Sequence, residues 1–171
     1  GGLSISSGST VTITASTISS NSAAWHGGGI FHSTGSDLWL VNSTLSGNLS
    51  ARDGGGIANN GSLDLSNVTI TGNTADSDAN GSGDGGGVSN SGPVAHLRNG
   101  LLAGNTDSDG QSPDCEGTLT SVGYNLLGNN AGCTFSAAAG DQVGTAASPI
   151  DPLLGPLRDN GGQTRTHALQ K

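Results

Sequence analysis

Gly54-Gly55-Gly56-Ile57-Ala58-Asn59-Asn60-Gly61-Ser62-Leu63-Asp64-Leu65-Ser66-Asn67-Val68-Thr69-Ile70-Thr71-Gly72-Asn73 is the stretch that decides the fold. It opens on a glycine triplet followed by an aliphatic residue, alternates through Leu63 and Leu65, and closes on Thr-Gly-Asn. The opening phrase returns as Gly27-Gly28-Gly29-Ile30 and Gly85-Gly86-Gly87-Val88, and Gly1-Gly2-Leu3 looks like a first copy lacking its leading glycine. Gly27 to Gly54 is 27 residues and Gly54 to Gly85 is 31. The closing phrase returns as Asn42 to Asn48 and Asn99 to Asn105, with degenerate copies at Ala15 to Asn21 and Gly123 to Asn129. Self-similarity at such a period is the mark of a solenoid.

Between the two phrases the pattern has period two. Val11 and Ile13, Leu38 and Leu40, Leu63 and Leu65, and Ala95 and Leu97 hold matching places. Alternation of aliphatic residues with Ser and Thr reads as strand. One period cannot bury its apolar side chains, but stacked periods can, because like residues meet at the strand spacing of about 4.8 Å. The expected fold is therefore all-β, a right-handed parallel β-helix with about three short strands per coil. Leu3, Ile30, Ile57 and Val88 are predicted to form one inward column, and Ile18, Leu45, Ile70 and Leu102 another. Asn21, Asn48, Asn73, Asn105 and Asn129 are predicted to stack as a structural ladder, each amide donating to the next coil. His32 falls where Asn59 and Asn90 stand in later coils and reads as a substitute in a similar column. The coils are placed at residues 1–136. Residues 137–171, with Pro149, Pro152 and Pro156, are read as a capping tail that leaves the ladder and covers the C-terminal end.

Composition narrows the function. The 171 residues include 31 Gly, and charged residues make up 11%, against about 7% and roughly 25% in an ordinary domain. Low charge with regular aliphatic residues argues for an ordered repeat rather than disorder. The net charge is -8 with only 5 Lys and Arg, so neither nucleic acid nor an anionic membrane surface is an expected partner. No stretch approaches the ~20 apolar residues of a spanning helix. The chain starts in repeat-like sequence, so any leader is expected to have been removed or to lie outside it. Beginning inside a coil, its N-terminal end is expected to be covered by earlier repeats or by another copy. Cys115 and Cys133 admit three readings: free thiols, half a metal site or a disulfide. The disulfide is favoured, since neither cysteine has a partner at zinc spacing. It would close a loop of ~17 residues, contribute roughly 3 kcal/mol and imply an oxidising compartment.

These repeat phrases resemble the right-handed parallel β-helix repeats of large bacterial surface proteins, in particular the polymorphic outer-membrane-protein repeats of autotransporter-like adhesins. Those pair a Gly-Gly-Ala-Ile phrase with a Phe-x-x-Asn phrase; here the second is reduced to Ser/Thr/Ala-Gly-Asn. The C-terminal part resembles a second arrangement, found in very large secreted bacterial proteins that carry a surface anchor. Its matching stretches are Asp114-Cys115-Glu116-Gly117, Ser121 to Leu127, Gly132-Cys133-Thr134-Phe135, Asp151 to Leu157 and Asp159 to Thr164. The resemblance implies a β-helix fold, a disulfide and a secreted or cell-surface location.

Two sites stand out. Asp76-Ser77-Asp78-Ala79-Asn80-Gly81 opens like a calcium loop, with Asp76, Asp78, Asn80 and Asp84 as expected Ca2+ ligands, although Gly87 stands where a bidentate Glu belongs. The next coil carries Asp107, Asp109 and Asp114 in the equivalent turn, so two acidic loops are expected to stack. On one outer face Trp39, Asp64 and His96 share a column, a surface on which a sugar ring could stack. Glycoside hydrolysis needs paired carboxylates at ~5–9.5 Å, and Asp64 has no matching acid on its neighbouring coils. The expected function is an extracellular structural or adhesive module with no required cofactor. It would pair with itself or with flanking repeats, and meet a glycan or another surface protein. A carbohydrate-binding or polysaccharide-degrading β-helix is the alternative.

Overall fold

The structure, a computed structural model, describes residues 1–170; Lys171, the last residue of the expected tail, lies outside the described residues. Among the described residues every regular element is a strand, and parallel strands stack into a β-solenoid of about 5 turns. Sheet one stacks Leu3–Ile5, Ile30–His32, Ile57–Asn59 and Val88–Asn90; sheet two stacks Thr10–Thr14, Asp37–Val41, Ser62–Ser66 and Val94–Arg98. In the following coil a single long strand, Cys115–Gly123, pairs with both Val88–Asn90 and Val94–Arg98, and Cys133–Ser136 adds to it. Sheet three runs through Thr17–Ser19, Thr44–Ser46, Thr69–Thr71, Leu101–Leu102, Leu126–Leu127 and Gln142–Val143.

A fourth ladder was not foreseen. Ser22–Ala23, Leu49–Ser50, Thr74–Ala75 and Thr106–Asp107 stack directly after the asparagine rungs. Two residues per strand are too few to show a period, so only the coil-to-coil pairing reveals them.

The registers align the predicted columns. Leu3, Ile30, Ile57, Val88 and Cys115 are successive partners, as are Ile18, Leu45, Ile70, Leu102, Leu127 and Val143. Ile30, Leu40, Leu45, Ile57, Ile70, Leu97 and Leu127 are completely buried, each worth roughly 1.5–3 kcal/mol of transfer free energy. The corner between sheets two and three has left-handed backbone at Asn42, Asn67 and Asn99 (φ 50°, 53° and 47°), a region Asn tolerates better than most side chains. The glycine triplet is set by space as well as by φ. Gly54 has φ 67°, while a Cβ on Gly28 would sit 2.5 Å from the Leu49 carbonyl oxygen.

The tail departs from expectation in two ways. Gln142–Val143, within the expected tail, continues sheet three, because Val143 completes the aliphatic column above Leu127. Pro149, Ile150 and Pro152 lie beside Gly128 and Asn129, and the Ile150 amide bonds the Gly128 carbonyl at 2.8 Å. Beyond them the chain turns back instead of closing the end. Leu154–Arg158 and Thr166–Leu169 form an antiparallel pair. His167 Nδ1 donates to the Gly155 carbonyl at 2.6 Å, and its Nε2 accepts from Ser46 Oγ at 2.9 Å. Thr17 Oγ1 donates to the Arg165 carbonyl at 2.8 Å. The hairpin thus lies on the outer side of sheet three, over the second and first coils.

Candidate functional site

The polar interior fixes where the turns project. Asn21 Nδ2 donates to Asn48 Oδ1 at 2.9 Å, Asn48 to Asn73 at 2.8 Å, and Asn73 to Asn105 at 2.9 Å. Each Oδ1 also accepts the backbone N–H of the rung before it, at 3.0–3.1 Å. The second amide proton of Asn48, Asn73 and Asn105 goes back to the carbonyl of Ile18, Leu45 and Ile70. Buried amides with all their partners are what a low-dielectric interior requires.

The fifth rung is Asp114, not Asn129. Asn105 Nδ2 donates to Asp114 Oδ1 at 2.9 Å, and the Asn129 backbone N–H donates to Asp114 Oδ2 at 2.8 Å. The Asn129 side chain instead accepts the Ala131 amide at 3.0 Å. The physical reason lies in the glycine phrase. Gly56 and Gly87 stand beside Asn73 and Asn105, where a Cβ would come within 3.3 Å and 2.8 Å of the amide nitrogens. Val88 registers with Cys115, so Asp114 takes the place of Gly87 one coil on, and its side chain enters the column that glycine leaves open. Burial pushes the Asp114 carboxyl above its ordinary value, opposed by the donors from Asn105 and Asn129.

His32, Asn59 and Asn90 form a second buried column. His32 Nδ1 donates to Asn59 Oδ1, Asn59 Nδ2 to Asn90 Oδ1 at 2.6 Å, and Asn90 Nδ2 to the Thr118 carbonyl at 2.7 Å. His32 Nε2 is buried without a partner.

Cys115 and Cys133 are paired, with Cα atoms 5.4 Å apart, inside the ordinary range for a disulfide. Trp39, Asp64 and His96 are consecutive partners on the outer face of sheet two. His96 Nδ1 lies 3.4 Å from Asp64 Oδ2, and both side chains are about two-fifths exposed. With Asp37, Ser62 and Val94 they line a shallow cleft of about 170 Å³.

The expected calcium loop is arranged differently. Asp76 is buried and satisfied within its own turn, accepting the amides of Asn80, Gly81 and Ser82 at 3.0, 3.1 and 3.4 Å. Asp78 accepts from Asn80 Nδ2 at 2.8 Å. Asp76, Asp78 and Asp84 do not form a cluster of three carboxylates. Asp84 converges instead with Asp107 and Asp109 of the next turn, each offering an oxygen within 4.8 Å of the other two. Burial pushes Asp107 up to about 6, against the pull of the Ser112 amide and with a further push from Asp109. The Gln111 amide holds Asp109 below its ordinary value.

Sequence reading missed one cluster. Trp25 is largely exposed, the Arg52 guanidinium lies 5.5 Å from its ring centroid, and His26 Nδ1 is 3.1 Å from Asp53 Oδ2. These residues come from corners of successive coils, where no period links them. Comparison with family models, curated proteins and solved structures finds no match to this chain.

Proposed function

We propose that the chain is an extracellular structural and adhesive module of a bacterial surface protein. The observation that carries this reading is the solenoid itself: aliphatic and asparagine columns repeat inside it from coil to coil while the turns outside it differ in length and charge. Such a stack transmits no chemistry along its axis; it sets turns at fixed spacing for partners to meet. The Cys115–Cys133 pair supports an oxidising compartment, and the likeness of the repeat phrases to bacterial surface repeats supports the setting. The first coil's strands pair on one side only, and open strand edges are templates for further pairing. Flanking repeats or a second copy fit there. Sedimentation velocity on the chain at rising concentration tests the docking, with concentration-dependent association as the expected outcome. A monodisperse monomer at high concentration would argue against docking between copies.

The cleft around Trp39 favours carbohydrate binding as a second reading, because an exposed indole beside Asp64 and His96 matches the needs of a sugar ring. A glycan array and a lyase assay on acidic polysaccharides separate the two. Retention without turnover, abolished by Trp39→Ala, is the result expected if the face is adhesive. Turnover of a polysaccharide would overturn the structural reading.

A further inference from the structure

We propose that Asp84, Asp107 and Asp109 form a divalent-cation site of calcium type, clamped between two successive turns of the solenoid. Asp84 directly precedes the Gly85 triplet, and Asp107 closes the short strand Thr106–Asp107 of the next coil. Stacking alone brings these two residues together across 23 positions of sequence (107 − 84). One oxygen from each carboxylate lies within 4.8 Å of the other two. Oxygens that share one calcium at 2.3–2.6 Å lie at most about 5 Å apart, so the cluster has the right span.

A second observation points to a ligand. Asp107 is only 6% exposed. Its Oδ2 accepts the Ser112 amide at 3.0 Å, while its Oδ1 is buried with no hydrogen-bond partner. A buried carboxylate oxygen left unpaired is strongly disfavoured, and a cation at the focus of the three carboxylates supplies what it lacks. No basic side chain does so: among the described residues the ion pairs are His26–Asp53 and His96–Asp64, both elsewhere. The donors are all hard oxygens. Asp84 is half-buried and Asp109 exposed, leaving room for the waters that complete a calcium shell. The site is distinct from the Asp76–Asn80 turn, whose leading carboxylate is already filled by backbone amides.

The test is thermal unfolding of the whole chain in EDTA, in 10 mM calcium chloride, and in sodium chloride of matched ionic strength. For a dissociation constant near 1 mM, calcium raises Tm by about 3–6 °C. Asp109→Asn, an exposed substitution, is expected to fold normally and to lose most of that rise, whereas Asp78→Asn keeps it. The proposal is overturned if calcium does nothing, if sodium chloride gives the same rise, or if Asp109→Asn responds like the parent chain. Loss of the response in Asp78→Asn alone would move the cation to the other turn and would equally overturn it.

Discussion

Two buried polar columns run through this solenoid, and they differ in how they end. The Asn21–Asn48–Asn73–Asn105 column closes on Asp114, with every interior donor and acceptor used. The His32–Asn59–Asn90 column begins where the first coil has Ile5, and it leaves His32 Nε2 without a partner. An amide carries two donors and an acceptor, so identical rungs propagate without limit. An imidazole has one nitrogen for each role and cannot serve both neighbours from one face. A repeated residue is thus self-consistent in the middle of a stack, and the ends need a different group.

The largest effect is expected from breaking the better column. Asn73→Ala strands the side-chain and backbone N–H groups of Asn48 and takes one of two donors from Asn105 Oδ1, and is predicted to destabilise the chain by about 3–5 kcal/mol in urea unfolding. A change below 1 kcal/mol would mean that the ladder adds little beyond the aliphatic core. Next comes the terminator. Asp114→Asn turns an amide toward the Asn129 N–H and is predicted to lose about 1–2 kcal/mol at pH 7.

The same substitution sharpens the pH dependence. Because burial raises the folded pKa of Asp114, its protonation favours the folded state. That contribution grows as pH falls through its folded value and is complete below 3.8. Asp141 runs the other way. Its carboxylate accepts from the Asn125 and Ala138 amides and is held below 3.8, so its contribution is lost in strong acid. The parent chain should gain stability relative to Asp114→Asn between pH 7 and 4, and an unchanging difference in Tm would contradict this.

In the second column, His32→Asn restores a rung that matches Asn59 and is predicted to stabilise by about 1 kcal/mol; a clear loss in Tm would show that ring packing outweighs the orphaned nitrogen. The smallest effect belongs to Asn129→Ala, which removes only a bond to the Ala131 amide and should change stability by less than about 1 kcal/mol.

These residues also show what a reader of the sequence could and could not see. The aliphatic columns and four asparagine rungs were legible because each recurs at one place in a repeated phrase, and stacking turns recurrence into contact. Asp114 was not legible as a rung, because it replaces a glycine rather than an asparagine and reaches the column from a different side of the coil. The acid cluster was half legible. Stacked acidic turns were expected, but the local Asp-x-Asp-x-Asn spacing pointed to Asp76, whose partners are backbone amides of its own turn, and to Asp78, which accepts from the Asn80 side chain. The fold-back of the tail onto Ser46 and Thr17 had no signal at all, since single bonds from His167 and Arg165 follow no period.

The asparagine column has an electrical sense. Every side-chain amide in it turns its oxygen toward the earlier rung and one N–H toward the later one. The small dipoles therefore add, as peptide dipoles do along a helix, and their positive pole falls at the far rung. The group found there is a carboxylate. One anion thus both halts the series and sits in the field that the series generates, so the stack has a head and a tail, and further rungs can join it only ahead of Asn21.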